Sequence, residues 1–384
     1  MSAIRRVGIL TGGGDAPGLN AVIRAVVKTC KIHYHSIPIG IFNGFSGLVE
    51  MNARELDRDD VKGILPRGGT ILGTTNRGNP FHYVYRRPDG KEEIVDATDT
   101  VKANVKRLGL DAIVVIGGDG SLSIAERFYR EHGLPMVGVP KTIDNDISAT
   151  EVTFGFATAL ESATGALDRL HTTAESHHRV MLLEVMGRDT GWIAVSAGLA
   201  GGAHVILIPE IPFRLESVFA KFRARERRGR LFSLVVVAEG AAPEGSDPVY
   251  QAEDAVTGWK RLGGVSFTIA REIERVTGYE VRATILGHIQ RGGSPVPVDR
   301  ILALRFGVEA ARLAMEGQFG QMVAQRCGEI VAVPLADAIG HLKRVSPDAQ
   351  LVRTAKNLGI SRPTLQKRMR EFGMEPGKRG PKFK

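Results

Sequence analysis

Cysteine is nearly absent from this chain of 384 residues: only Cys30 and Cys327 occur. Neither has a partner at metal-ligand spacing, which excludes a disulfide scaffold and a zinc-finger module and predicts a reducing, cytoplasmic setting. The ten histidines form no zinc pattern either; His33, His35, His177 and His178 read as surface or phosphate-adjacent residues. No apolar run approaches the roughly 20 residues of a membrane-spanning helix. Residues 1–6 lead straight into a strand-like run, which leaves no room for a signal peptide. No glycine loop is followed by Gly-Lys-Ser/Thr, so a Walker A site is excluded. Internal repeats are missing, and no low-complexity stretch precedes Pro376.

What remains is an ordinary globular composition with 43% apolar residues and enough length for two or three domains. The net charge of +9 is unevenly spread. Residues 351–384 carry ten Lys or Arg against Glu371 and Glu375, whereas the rest of the chain carries 41 basic and 40 acidic groups. The body is close to neutral and the tail strongly basic, so the overall charge says nothing about chemistry in the body.

Short β-rich runs alternate with helical patterns. Val7 to Leu10, Ile37 to Ile41, Ala112 to Ile116, Met136 to Val139, Val180 to Val185, Val205 to Ile208 and Leu231 to Val237 read as strands, and residues 18–29 as a helix. This rhythm predicts mostly parallel sheets with helices on both faces, arranged as two three-layer α/β domains of Rossmann-like character. Strand ends of such sheets are where ligands bind. Three loops stand there, and a further glycine cluster accompanies them. Thr11 to Gly18 places glycines between a strand and a helix, where backbone N–H groups can approach a phosphate. Arg67 to Thr74 is a second glycine cluster and runs into Arg77. Gly117-Gly118-Asp119-Gly120-Ser121 adds a carboxylate suited to Mg²⁺. Pro140 to Asp146 follows an apolar run and puts two carboxylates and a hydroxyl close together, fit for general-base work on an attacking alcohol. Arginines beside glycine turns complete the set: Arg179, Arg188 in the segment 186–192, Arg282, and Arg291 in the segment 287–293. A guanidinium there can hold phosphate oxygens in a bidentate fork.

Together, residues 11–20, 117–121, 140–146, 186–192 and 287–293 resemble the ordered motif set of the 6-phosphofructokinases, over roughly residues 6–360. The resemblance implies phosphoryl transfer from ATP to the 1-hydroxyl of fructose 6-phosphate in glycolysis. It implies Asp144 as general base, Asp146 arranging metal and phosphates, Thr142 contacting substrate and transferred group, and Arg188 stabilising charge on that group. Asp119 would hold Mg²⁺, and Gly14, Arg77, Gly118, Gly120 and Ser121 the donor. Ile143, Met186, Gly187, Glu239, His288, Ile289, Gln290 and Arg291 would line the sugar phosphate. Arg179 and Arg282 would reach in from a neighbouring subunit of a homodimer or homotetramer. The implied division is a donor-binding domain of residues 1–155 with 290–345, a sugar-phosphate domain of residues 156–289, and a basic extension of residues 346–384. Arg24, Lys28 and Glu210 match effector-binding positions of some bacterial relatives, without fixing an effector.

Two donors compete within this family. Gly120 accompanies ATP, since an Asp there would crowd and repel the α-phosphate of a nucleotide; Lys141 accompanies pyrophosphate, although the mixed pair also occurs in an ATP-using subgroup. Gly120 acts on the group that distinguishes the donors and is given the greater weight. The alternatives are a pyrophosphate-dependent phosphotransferase, a kinase of a related sugar phosphate such as sedoheptulose 7-phosphate, and a DNA-binding regulator on a kinase scaffold. In the tail, Ala355 to Leu358 closes a helix at Gly359, Ser361 caps another, and Leu365, Met369 and Phe372 share a face away from Lys367, Arg368 and Arg370. That pattern resembles a Fis-type helix-turn-helix; a solvated basic helix and a subunit contact are the competing readings.

Overall fold

The computed structural model describes residues 4–87, 89–253 and 260–360. The second helix and basic end expected over residues 361–384 lie outside the described residues. The described residues form two compact units, one within residues 4–162 with 288–343 and one within residues 163–287 with 344–360. Residues 344–360, grouped by sequence with the donor domain and the tail, thus belong with the second unit.

In the first unit, strand Arg6–Thr11 pairs in parallel with Ile37–Ile41 on one side and Ala112–Gly117 on the other. Beyond Ala112–Gly117 follow Met136–Thr142 and Gln321–Arg326, both parallel. Antiparallel edges, Glu329–Pro334 and Ala53–Glu55, close the two sides. The chain therefore leaves Arg6–Thr11 first in one direction and later in the other, which makes a topological switch point at the carboxyl ends of this strand and Ala112–Gly117. Alternation along the strand divides the core: Val7 and Ile9 pack with Val22, Val26 and Phe306, whereas Leu10 joins Val115, Leu122 and Phe128. Both faces are covered, and Ala112–Gly117 is buried throughout, as a central parallel strand must be.

The second unit holds a four-stranded parallel sheet in the order Val205–Leu207, Ser233–Ala238, Val180–Val185, Val281–Ile285. Its own switch point lies at the end of Val180–Val185. Leu182, Val235 and Val237 pack beneath Phe219, Phe222, Ile269 and Ile273.

The expected strands all form, Ile37–Ile41 and Val180–Val185 with the expected bounds and the others with shifted ends. Met136–Thr142 runs three residues past Val139, because Pro140, Lys141 and Thr142 stay buried in the sheet. The last sheet strand of the series begins at Ser233 rather than Leu231, which is exposed. Helix Leu19–His33 runs past Thr29, since Cys30 is still buried. Helix Gln350–Asn357 ends as expected at Gly359: with φ 75° it turns the chain, and the N–H groups of Gly359 and Ile360 donate to the carbonyls of Lys356 and Ala355 at 2.9 and 2.8 Å. Cys30 and Cys327 are free thiols. Among the described residues, no helix is long and apolar enough to cross a membrane.

Candidate active site

The glycine loops of the first unit meet at its switch point. Thr11 lies opposite Ile116, and the Gly12 N–H donates to the Ile116 carbonyl at 2.9 Å. Between the loops sits Ser121, 8% exposed. A Cβ on Gly12 would come within 2.4 Å of its Oγ, and a Cβ on Gly117 within 2.4 Å of its Cβ. These two positions exclude any side chain, so the loops can approach each other only as bare backbone. Ser121 thus acts inside the turn rather than on its surface. The Arg67 to Thr74 cluster is pinned from below, in a way no local pattern announced. Asn20 donates to the carbonyls of Arg67 and Gly68 at 3.1 and 3.2 Å and accepts from the Ile71 N–H at 2.9 Å. Thr11 donates to the Gly73 carbonyl at 2.7 Å.

Asp119 is the first residue of helix Asp119–His132, after Gly118, so its carboxylate stands at the positive end of the helix dipole. Partial burial nevertheless raises its pKa. Gly120 is exposed, and a Cβ on it would meet nothing within 4 Å. Arg77 is mostly exposed and lies 3.9 Å from Glu92.

Lys141 is only 3% exposed. Its ammonium donates to the Gly14 carbonyl, and Arg291 donates to the Asp15 carbonyl at 3.2 Å. Two cations thus brace one loop. Burial and then Arg291 push the Lys141 pKa down to about 8, against the pull of Asp144, Asp15 and Asp146. Beyond Lys141, the Thr142 hydroxyl accepts from the Asp144 N–H at 3.0 Å. Asp144 is 8% exposed. Asn145 adopts φ 52°, a left-handed conformation that Asn tolerates better than most residues. It accepts from the Thr153 N–H at 3.2 Å and from Lys343 at 2.8 Å. Burial raises the pKa of Asp146, and the neighbouring Asp144 charge adds to the effect, with Asp119 contributing from farther off.

Asp146 Oδ1 is buried without a hydrogen-bond partner. Such an orphaned carboxylate oxygen, within electrostatic reach of Asp119, fits Mg²⁺, which takes one or two carboxylates and completes its shell with phosphate oxygens and water. Among the described residues, no group of three His, Cys, Asp or Glu could hold a metal unaided; a phosphate-borne cation suits what is present.

In the second unit, Met186 and Gly187 follow strand Val180–Val185, and Glu239 follows Ser233–Ala238. The Glu239 N–H donates to the Val185 carbonyl at 2.9 Å, and its carboxylate accepts from the Arg188 N–H at 3.1 Å. Gly187 adopts φ 146°, and a Cβ there would stand 2.4 Å from the Thr190 carbonyl oxygen. The Arg188 side chain is half exposed and 3.4 Å from Asp189. Glu210 accepts from the N–H groups of Gly191 and Val345 at 3.0 and 2.9 Å, so it ties the 186–192 turn to the C-terminal segment.

Arg179 and Arg282 stand at the other end of this sheet. Arg282 lies opposite Met181, so Met186 is seven positions along from Arg179 and five from the level of Arg282, roughly 23 and 17 Å at about 3.3 Å per residue. Both hold Glu280, at 2.8 Å from Arg179 and 2.5 Å from Arg282. Of the 287–291 turn, His288 and Ile289 are exposed, Ile289 at 69%, and Gln290 is fully buried. Thr142, Ile143 and Asp144 are likewise buried at the strand end. Lys343 and Glu280 escaped sequence reasoning, because Lys343 grips residues almost two hundred positions earlier and Glu280, though beside Arg282, belongs to no motif. Asn20 was seen only as the end of the 11–20 motif, without its contacts to residues 67–71.

Residues 6–314 match the family profile "Phosphofructokinase". Among curated proteins, the chain is 54% identical over 357 residues to an "ATP-dependent 6-phosphofructokinase" of Chloroflexus aggregans, covering 93% of this chain and 97% of that protein. It is also 51% identical over 343 residues to a "Pyrophosphate--fructose 6-phosphate 1-phosphotransferase" of Streptomyces coelicolor, covering 89% and 96%. Among solved structures, Pichia pastoris phosphofructokinase in the T-state aligns with a TM-score of 0.73 at 33% identity. That match covers 88% of this chain but only 38% of the yeast chain.

Proposed function

This chain belongs to the phosphofructokinase family, and from that premise we propose that it transfers the γ-phosphoryl group of Mg-ATP to the 1-hydroxyl of fructose 6-phosphate. The observation that carries the reading is the Asp144–Asp146 pair at the end of a buried strand, in the same unit as two glycine loops that meet as bare backbone around Ser121. Asp144 takes the proton of the attacking hydroxyl at its carboxylate. Thr142 fixes the start of that turn through the Asp144 N–H. Asp119 and Asp146 hold the metal, and Gly14, Arg77, Gly118 and Gly120 receive the donor. Mg²⁺, when bound, neutralises charge on the donor phosphates. Arg188 offsets charge on the transferred group. Met186, Gly187, Glu239, His288 and Arg291 take the sugar phosphate, with Ile289 on the same turn.

ATP is supported by Gly120, where open space surrounds a Cβ position and leaves room for a nucleotide. Lys141 and the Streptomyces relative favour pyrophosphate. Yet the Lys141 ammonium is engaged with the Gly14 carbonyl, a bracing role that serves either donor. Initial rates on fructose 6-phosphate with each donor, with and without Mg²⁺, test the reading. Turnover with Mg-ATP and little with saturating pyrophosphate is expected; equal rates with pyrophosphate overturn ATP as the donor. Gly120→Asp should depress ATP turnover selectively.

Arg179 and Arg282 lie too far along their strands to serve the same bound sugar as Met186, which supports their reaching a neighbouring subunit of a homo-oligomer. For the basic tail, a contact with duplex DNA is proposed on charge and on the Ser361 to Leu365 pattern. Deleting residues 361–384 should then abolish DNA retention and spare kinase activity; unchanged retention dismisses it.

A further inference from the structure

We propose that Lys343 is a positioning residue of the reaction, holding the Asp144–Asp146 turn in its working shape from a point almost two hundred residues further along the chain. An ammonium has three protons, and here they reach three oxygens of one segment: Asn145 Oδ1 at 2.8 Å, the Thr150 carbonyl at 3.0 Å and the Glu151 carbonyl at 2.9 Å. The Lys343 N–H adds a fourth link, to the Asp146 carbonyl at 2.8 Å. Lys343 is half-buried, and its charge is felt by Asp146 and Glu151.

The turn needs such a hold. Asn145 sits at φ 52°, a conformation that costs on the order of 1 kcal/mol or more and persists only where its surroundings enforce it. It is also the residue between the two carboxylates, so its backbone angle sets their relative direction. Its side-chain oxygen is fixed by the Thr153 N–H and by Lys343. Without the ammonium, half of that anchorage goes, and Asp146 loses a nearby positive charge beside the like charge of Asp144. Relaxation of Asn145 would then swing Asp144 and Asp146. A displacement of about 1 Å in a reacting group lowers rates by about 10²-fold.

This inference rests on the kinase reading above, and the experiment separates the two. The full-length parent, Lys343→Met, Lys343→Arg and Ser148→Ala are assayed with fructose 6-phosphate and Mg-ATP. Ser148, whose hydroxyl donates to the His341 carbonyl at 2.6 Å, links the same two segments without touching Asn145. Lys343→Met should lose about 30- to 100-fold in kcat, with both KM values within about threefold of the parent. Lys343→Arg should recover most of that loss, and Ser148→Ala should match the parent. A Lys343→Met kcat within about threefold of the parent overturns the proposal. So does a loss that follows the thermal midpoint and that Lys343→Arg leaves unrelieved. Should Lys343→Met fail to fold, Asn145→Ala replaces it: the same kcat loss supports the proposal, and an unchanged kcat overturns it. A parent inactive with every donor defeats the kinase reading itself.

Discussion

The candidate catalytic groups of the first unit and the expected sugar-phosphate arginines of the second handle charge in opposite ways. In the first set, charged groups are buried or half-buried and their proton affinities displaced: Lys141 and Lys343 are both pushed down to about 8, while Asp119 and Asp146 are raised. In the second, the arginines expected at a sugar phosphate are partly or largely exposed and already paired with carboxylates, Arg188 with Asp189 and both Arg179 and Arg282 with Glu280. Burial makes a charge act strongly on its neighbours, because little water screens it. Exposure keeps a cation available at small cost, and its pairing is weak and exchangeable. The first pattern suits chemistry, which needs groups tuned and fixed. The second suits capture of an anion that arrives and leaves. Substitutions of Asp144 and Asp146 should therefore act on kcat and those of Arg179 and Arg282 on KM, whereas Arg188, assigned to the transferred group, should act on kcat from the second unit.

The severest test of that division is Asp144→Asn. Removing the base should lower kcat by about 10²- to 10⁴-fold, with KM for fructose 6-phosphate little changed and the thermal midpoint retained. A variant as fast as the parent would defeat the assignment.

Lys141 gives the next largest effect, read on stability. Its native pKa of about 8 lies below the 10.5 of an ordinary lysine. Between those values the unfolded chain binds a proton that the native side chain has released, so this group makes the protein more stable as pH rises across the window. Below pH 8 both states are charged, and burial penalises the native one throughout. Comparing urea unfolding of the parent and Lys141→Met from pH 8 to 10.5 isolates the contribution. The parent should gain on the order of 3 kcal/mol relative to the variant. A constant difference, or one of opposite sign, would mean that Gly14 and the acidic neighbours hold the proton more firmly than burial expels it.

How much of this was legible in the sequence depended on whether partners were neighbours along the chain. The strands were readable because buried parallel strands write themselves as runs such as Ala112 to Ile116, and the loops because glycine, carboxylate and arginine cluster within a few residues of strand ends. The end of Met136–Thr142 was misplaced because Lys141 looks like a surface residue until its ammonium is seen against Gly14. Ser121 was expected among the donor-binding residues, and what the sequence hid is that its side chain also fills the space between two glycines. Lys343 gave no local sign, since it works by reaching back to residues 145–151; Asn20 ended the 11–20 motif, but its role was hidden because it reaches forward to residues 67–71. Assignment of Arg179 and Arg282 to another subunit came from resemblance alone; the sheet sets both toward the opposite strand end from Met186.

Two substitutions probe the second unit. Arg282→Ala should raise KM for fructose 6-phosphate by about 10- to 100-fold through loss of charged hydrogen bonds, leaving the KM for ATP unchanged and kcat within about threefold. A fall in kcat with KM intact would place Arg282 with the chemistry and break the contrast between the units. The smallest effect belongs to Glu280, which holds the guanidinium groups of both Arg179 and Arg282. Its carboxylate competes for the cations that a sugar phosphate needs, so Glu280→Gln should lower KM for fructose 6-phosphate, by less than about fivefold because exposed pairs are worth little. The gain should shrink as salt is added, since screening already weakens the competing pair in the parent. A higher KM would give Glu280 the opposite role: it would then be holding the two arginines in the geometry that receives the phosphate, and the second unit would be as preorganised as the first.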